Sequence, residues 1–340
     1  MLIHPSILPL LDPEYVAYHN AHMLDVPPLE SIPRELLRGD APFPGASDPL
    51  PVEKTQDFEL EGIRLRAFTP FGEQPERGWP AVLYIHGGLL HAAFHGSARC
   101  VVVALDYRLA PENPYPAAVE DSVAALKWLV YHGPEKLHVN LSRIAVAGTS
   151  SGGNLAAVLA LKAPTLLPPI PELIMQVLIV PITDNTASVA TSWASKEHAP
   201  LLTPHAMMSA RHNYLPDPET WTNWDASPLF ASTEQLKTLP KTWITLAECD
   251  ILCQEGQQYA DKLKDAGVEV QAHVYKGAPH MAPTIDVTFK IATDVQREFS
   301  ICEWNRFAKK STVCSVLKVG KQMITDAVDA LEKAFWHANS

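Results

Sequence analysis

A serine between glycines is the strongest candidate for nucleophilic chemistry in this sequence. Residues 148–153, Gly-Thr-Ser-Ser-Gly-Gly, follow one apolar run and precede another, which predicts a strand, a sharp turn and a helix. In such a turn the central serine exposes its hydroxyl, and small glycines let the strand and helix pack closely. Ser150 is the central serine of a Gly-x-Ser-x-Gly pattern, whereas Ser151 would need a glycine at position 149, which is threonine. The pattern is short, so a structural glycine-rich turn is the alternative interpretation.

Three further loops carry the groups that acyl transfer needs. The apolar run 81–85 leads into His-Gly-Gly-Leu at 86–89, a loop whose backbone N–H groups are candidates for binding an oxyanion. Another apolar run, 242–247, ends beside Glu248 and Asp250, and the run 270–275 precedes a loop that contains His280. The order Ser, Asp, His along the chain is that of α/β-hydrolases.

Alternating strand and helix patterns indicate how these loops are held. Residues 57–68 alternate apolar and polar side chains, as an antiparallel edge strand of a hairpin would. Continuous apolar runs at 100–105, 143–147 and 173–180 are typical of parallel strands covered on both faces. Helical stripes occur at 119–130, at 259–263 before Gly267, and at 319–336. The sequence therefore predicts an α/β fold with a mostly parallel, doubly wound sheet and a site at the carboxyl ends of its strands.

Several motifs together resemble the hormone-sensitive-lipase-like family of α/β-hydrolase carboxylesterases. They are HGG at 86–88, DYRLAPENPYPAA at 106–118, GTSSGGN at 148–154, the D-x-L sequence at 250–252 and the late His280. The similarity covers roughly residues 51–280 and resumes near 319. It implies the α/β-hydrolase fold with a helical cap over the site.

The resemblance also implies a catalytic triad. Ser150 is expected to be the nucleophile, His280 the general base and then acid, and Asp250 the group that orients the imidazole and stabilises its cation. Glu248 competes with Asp250 for the last role, and the D-x-L frame favours Asp250.

The expected oxyanion donors are the backbone N–H groups of the HGG loop, from Gly87, Gly88 and Leu89, and of Ser151. Leu89 stands where the family normally has a third glycine, so it adds bulk where a substrate carbonyl approaches. His86 is expected to orient this loop and not to act as the base.

Two segment lengths depart from the family pattern. Only 17 residues separate Gly88 from Asp106, roughly a dozen fewer than the family uses for the oxyanion loop, the next helix and the next strand. We expect this chain to lack the helix that the family has between the oxyanion loop and the next strand. After His280, an atypical insert at 291–318 interrupts what reads as one terminal helix. Natural variation and a gene-model error both account for these lengths, and either puts efficient activity in doubt.

The expected organisation is a core with two cap segments. Residues 1–55 form the first cap segment, 56–183 the first part of the core, 184–224 the second cap segment and 225–340 the rest of the core. Aromatic and sulfur side chains in the cap segments either line an acyl or alcohol pocket or simply pack the cap onto the core, and packing is the more common role. These side chains are Tyr15, Tyr18, Trp193, Met207, Met208, Tyr214 and Trp221.

Composition narrows the class of protein. A net charge of −11 without a Lys/Arg cluster opposes binding to nucleic acid or anionic membranes. Five cysteines without a regular framework indicate reduced thiols, and the proline-broken N-terminus reads as neither a signal peptide nor a membrane span, so we expect a cytoplasmic protein. Cys249 with Cys253, and His91 with His95, are weak metal-pair alternatives; we expect no metal and no cofactor.

Three functional classes remain open from the sequence. The leading one is a serine carboxylester hydrolase acting on short to medium acyl esters as small-molecule substrates. The others are a catalytically weak or non-catalytic binding protein on the same fold, and an acyltransferase. The oligomeric state, with a homodimer among its alternatives, is also open.

Overall fold

An eight-stranded sheet forms the centre of the fold. The computed structural model describes residues 2–33, 51–87, 98–285 and 317–337. The strands, in chain order, are β1 (Lys54–Leu60), β2 (Ile63–Thr69), β3 (Trp79–Ile85), β4 (Val101–Asp106), β5 (Val139–Thr149), β6 (Met175–Ile179), β7 (Lys241–Cys249) and β8 (Val270–Pro279). Their order in the sheet is β1-β2-β4-β3-β5-β6-β7-β8. The pairs β1–β2 and β2–β4 are antiparallel, and the other five are parallel.

Helices cover both faces of this sheet. The described helices are α1 (Pro13–His22), α2 (Ala117–Leu137), α3 (Ser151–Lys162), α4 (Pro204–Tyr214), α5 (Thr233–Leu236), α6 (Cys253–Asp265), α7 (Ala282–Ile285) and α8 (Lys318–Trp336). One core cluster contains side chains of α2, α3 and α6, and a second cluster on the opposite face contains those of α8. The doubly wound α/β-hydrolase fold expected from the sequence is therefore confirmed.

The central strands are apolar because both of their faces are buried. All seven residues of β3 and all five of β6 are buried, which explains their continuous apolar runs. At the edge of the sheet, β1 alternates between exposed and half-buried residues. The run 57–68 is not the single strand expected from its alternation: a turn at Glu61 and Gly62, both with positive φ, divides it into the two strands of a hairpin.

Two helix predictions are confirmed with small differences in their bounds. The terminal stripe forms α8, and its Ile324, Val328, Leu331 and Phe335 are buried. Helix α6 ends just before Gly267, whose φ is 88°. Strand β5 begins four residues before the apolar run at 143–147, because Val139 pairs with Trp79 in the sheet although its neighbours are polar.

Two described segments lie outside the alternation of strands and helices. The N-terminal segment, residues 2–33, contains α1 and two short 3₁₀ helices. The connecting segment, residues 184–224, lies between β6 and β7 and contains α4 and two more 3₁₀ helices. Both contribute to apolar clusters separate from those on the sheet faces.

Candidate active site

Ser150 lies at a strained turn between β5 and α3. Its φ of 57° and ψ of −118° are values that a residue with a side chain rarely adopts, and they cost about 1–3 kcal/mol. The main chain on both sides stabilises the turn, since Ser150 N donates to Ile179 O at 2.8 Å and Ser150 O accepts from Asn154 N at 3.0 Å. The turn thus holds the serine at the carboxyl end of the sheet.

Glycines let three pieces of backbone meet at this turn. A Cβ on Gly152 would lie well inside van der Waals contact with the main-chain oxygens of Ile85 and His86, at the end of β3. A Cβ on Gly87 would lie 2.8 Å from Thr149 O and 3.2 Å from Ser150 Cβ. The start of the His-Gly-Gly loop therefore packs directly against the serine turn, at a distance that excludes side chains.

Three predicted site residues form one hydrogen-bonded chain. Ser150 Oγ lies 3.0 Å from His280 Nε2, and His280 Nδ1 lies 2.6 Å from Asp250 Oδ2. The second oxygen of Asp250 accepts from Leu252 N at 3.0 Å, which fixes the carboxylate. Asp250 is 1% exposed and His280 is 4% exposed, so little water screens the pair.

The three residues come from the ends of neighbouring strands. Ser150 follows β5, Asp250 follows β7 and His280 follows β8. Because β5 to β8 are consecutive in the sheet and their pairs are parallel, their carboxyl ends lie at one edge. This is the place where α/β sheets bind their ligands.

Glu248, the alternative acid, has other partners. Its carboxylate accepts from Lys276 Nζ at 2.7 Å and from Gly277 N at 2.9 Å, so it links β7 to β8. Desolvation by partial burial raises the pKa of Glu248, and the bonds from Lys276 and Gly277 outweigh it, so the pKa lies below its usual range. The hydrogen bond to His280 belongs to Asp250.

The Ser151 hydroxyl contacts Tyr107, whereas the hydroxyl beside His280 is that of Ser150. Ser151 Oγ lies 3.4 Å from the Tyr107 hydroxyl, and Tyr107 in turn donates to His86 O at 3.0 Å. The rings of His86 and Tyr107 stack with centroids 4.5 Å apart. Tyr107 thus supports the loop that begins at His86, a role that the sequence did not reveal. Gly88 and Leu89, predicted as oxyanion donors, lie outside the described residues. The same holds for His91, His95 and the segment in which we expected the family's helix to be missing.

The N-terminal segment contacts the loop that carries His280. Asp12 N donates to Gly277 O at 3.0 Å, and Gly277 has a φ of 70°. A Cβ at Gly277 would lie 2.6 Å from Asp12 N, so only glycine fits. Tyr15 and Tyr18 of α1 are buried in one cluster with Met281, next to the histidine. These two aromatic side chains therefore pack the N-terminal segment against the loop that carries His280.

The connecting segment packs on the loop that carries Asp250. Trp193 and Met207 are buried in one cluster with Ile251 and Leu252. Beneath them Glu255, on α6, is completely buried. Burial raises the pKa of its carboxyl to about 8, although hydrogen bonds from Thr183 N and the Trp193 indole lower it. Glu255 was not predicted, yet it precedes the buried Tyr259 and Leu263 by four and eight positions, which places it on the core face of α6.

Of the described thiols, Cys100 and Cys249 are buried and Cys253 is partly buried, and all three are protonated at neutral pH. Cys100, Cys249 and Cys253 are free, and desolvation raises their pKa to about 12, 11 and 12. Cys302, Cys314 and nearly all of the predicted insert at 291–318 lie outside the described residues. Within the described ranges, no three His, Cys, Asp or Glu side chains are grouped as metal ligands, and no helix has the length and apolar content to cross a membrane.

Comparison with known proteins identifies the family. A family model described as alpha/beta hydrolase fold matches residues 82–284. The chain belongs to this family. Within it the chain is of the hormone-sensitive-lipase-like kind. It is 38% identical over 310 residues to AB hydrolase superfamily protein C1039.03 of Schizosaccharomyces pombe, a match that covers 84% of this chain and 91% of the relative.

Several relatives are named as hydrolases of esters. Ethyl acetate hydrolase of Pseudomonas putida is 31% identical over 264 residues, which cover 72% of this chain and 78% of that protein. Other relatives carry the names esterase and carboxylesterase. Among solved structures, a thermostable esterase from Pseudomonas putida superimposes with a TM-score of 0.74 at 27% identity, covering 96% of this chain and 98% of that one.

Proposed function

We propose that this carboxylesterase-type hydrolase cleaves short to medium acyl esters through an acyl-enzyme on Ser150. The observation that carries the proposal is the hydrogen-bonded chain from Ser150 through His280 to the buried Asp250. A nucleophile, a base and a group that orients the base are the three parts that serine acyl transfer needs.

In the first half-reaction, Ser150 Oγ attacks the ester carbonyl while His280 Nε2 accepts its proton. The imidazole then carries a positive charge, and the Asp250 carboxylate, 2.6 Å from Nδ1, stabilises it. The tetrahedral intermediate collapses, the alkoxide leaves with the proton from His280, and an acyl ester remains on Ser150. Water, activated by the same imidazole, hydrolyses this ester in the second half-reaction.

The negative oxygen of the tetrahedral intermediate needs N–H donors near Ser150. Ser151 is the first residue of α3, so its N–H has no partner within the helix and lies where the helix dipole favours negative charge. Gly88 and Leu89 are the proposed second source. The tight packing of Gly87 against Ser150 supports this, because it begins their loop beside the nucleophile.

We also propose that the N-terminal and connecting segments form the cap of the site. Both segments pack on the residues that flank the triad, Met281 and Ile251 among them. A preference for short acyl chains follows from this dense packing and is supported by the relative named for ethyl acetate.

Hydrolysis of p-nitrophenyl esters from acetate to laurate tests the proposal, with Ser150→Ala measured beside the native protein. We expect the highest kcat/KM on acetate to hexanoate and no turnover by the variant above background. A fluorophosphonate that fails to label Ser150 would instead favour a binding protein. Ester products formed with added alcohol, in excess over free acid, would favour an acyltransferase.

A further inference from the structure

Glu255 is a buried acid that the proposed chemistry does not use. It lies five positions after Asp250, in the first turn of α6. No part of its side chain reaches solvent. A buried carboxylate is costly unless hydrogen bonds satisfy both of its oxygens, so its partners indicate what it stabilises.

All three described partners belong to the start of the connecting segment or to its approach. Oε1 accepts from Thr183 N at 3.0 Å and from Asp184 N at 3.2 Å. Oε2 accepts from the Trp193 indole N–H at 3.0 Å. Two of these donors are main-chain groups and the third is a fully buried ring, so the carboxylate fixes both the path of the backbone and the position of Trp193.

Arg211 extends these contacts further into the connecting segment. The guanidinium of Arg211, on α4, lies 4.9 Å from the Trp193 ring centroid and 5.0 Å from that of Trp221. Arg211 is 2% exposed and donates to Ala187 O at 2.8 Å. Cation–π contacts gain strength when they are desolvated. The acid, the two rings and the cation therefore join α6 to most of the connecting segment.

We propose that Glu255 is a positioning residue that fixes the connecting segment over the site by tying Thr183, Asp184 and Trp193 to the helix that follows Asp250. This proposal rests on the proposed function, since it takes the connecting segment as the wall of the ester pocket. Because Glu255 touches no reacting group, it acts on substrate binding and not on the chemical step.

The substitution Glu255→Gln tests this role with nearly unchanged size. The amide oxygen of glutamine can still accept from Thr183 N and Asp184 N, but its NH₂ group then faces the indole N–H of Trp193. The glutamine NH₂ and the indole N–H are both buried donors, so neither satisfies the other. Trp193→Phe removes one of them, so the double variant relieves the conflict. Glu269→Gln, at an exposed carboxylate that pairs with Lys241, is the matched control.

The kinetic readout is the division of the effect between KM and kcat. The assays run at about pH 9, where the carboxyl with a pKa of about 8 is ionised. For Glu255→Gln we expect KM for p-nitrophenyl hexanoate to rise about tenfold, since a charge-assisted buried hydrogen bond is lost, while kcat on acetate changes less than about threefold. The double variant should recover most of the KM, and the control should match the native protein.

Hydrogen exchange supplies a readout that needs no catalysis. We expect amides in residues 184–215 to exchange about tenfold faster in Glu255→Gln and to be slowed again in the double variant. Unchanged exchange overturns the proposal, even if the protein hydrolyses no ester at all. Faster exchange with an equal loss of kcat on every ester also overturns it, because Glu255 would then be only a stability residue.

Discussion

Asp250→Asn tests whether the acid sets the proton position on His280. Asp250 Oδ1 accepts from Leu252 N, so the asparagine keeps its oxygen there and places its NH₂ group opposite His280 Nδ1. An N–H donor at that position makes Nδ1 the acceptor and leaves the proton on Nε2. Nε2 then donates toward Ser150 Oγ and cannot accept the serine proton.

The expected loss follows from two terms. Turning the amide over would restore the useful tautomer but would leave the Leu252 N–H facing a donor, which costs about 1–3 kcal/mol for a buried group. Losing the carboxylate opposite the imidazolium costs about 1.5–3 kcal/mol more, as for a charge-assisted hydrogen bond. Together they amount to about 2.5–6 kcal/mol, or a fall in kcat of about 10²- to 10⁴-fold.

The matched control is Glu248→Gln, two positions upstream of Asp250 and near the end of β7. Glutamine keeps an acceptor for Gly277 N, and the lost ion pair involves a largely exposed Lys276, so we expect less than about 1 kcal/mol. The measurements are steady-state kcat on p-nitrophenyl acetate and thermal unfolding of both variants. The reasoning is refuted if Asp250→Asn retains kcat within tenfold, or if Glu248→Gln loses as much as Asp250→Asn.

Three further outcomes are expected. Gly152→Ala should lower the free energy of unfolding by about 1–3 kcal/mol and lower kcat, because its methyl group meets main-chain oxygens at the end of β3. The control Gly133→Ala should be nearly neutral, because its added Cβ lies 3.1 Å from the flexible side chain of Leu129. Equal losses of stability in the two variants would contradict the close packing at Gly152. Arg108→Lys should lower stability by about 1–3 kcal/mol, since the guanidinium binds both oxygens of the buried Asp121; an unchanged melt would count against it. Iodoacetamide at neutral pH should leave the described cysteines unmodified until the protein unfolds, because burial raises their pKa; peptide mass spectrometry checks this, and rapid modification of the folded protein would disprove it. These cysteines are Cys100, Cys249 and Cys253.

The sequence predicted those parts of the molecule that depend on local pattern. Continuous apolar runs located the parallel strands, and the glycine pattern located the turn at Ser150. Asp250 could be preferred to Glu248 only through the family frame, because both acids come directly after the same apolar run, 242–247. Their hydrogen bonds depend on what β8 brings alongside, and no local pattern specifies that.

Long-range partners explain what the sequence did not reveal. Glu255 takes its three donors from residues about 60–70 positions earlier, and Tyr107 supports a loop 21 positions away. The first four residues of β5 mix apolar and polar types, and Val139 joins the sheet by pairing with Trp79. Each of these depends on the tertiary fold, which a local reading cannot supply.

The contacts of α1 with residues far along the sequence have a consequence for the order of folding. Helix α1 has its partners far along the sequence: Asp12, just before it, binds Gly277, and Glu14 binds Lys318, a residue 304 positions later. Contacts of such sequence separation form late, because closing a long loop costs entropy before any contact offsets it. During synthesis we therefore expect Tyr15 and Tyr18 to stay unburied at least until residues 277–318 have been made. The docking of α1 completes the surroundings of His280, so we expect this helix to be among the last to pack, although it precedes every strand of the sheet in the sequence.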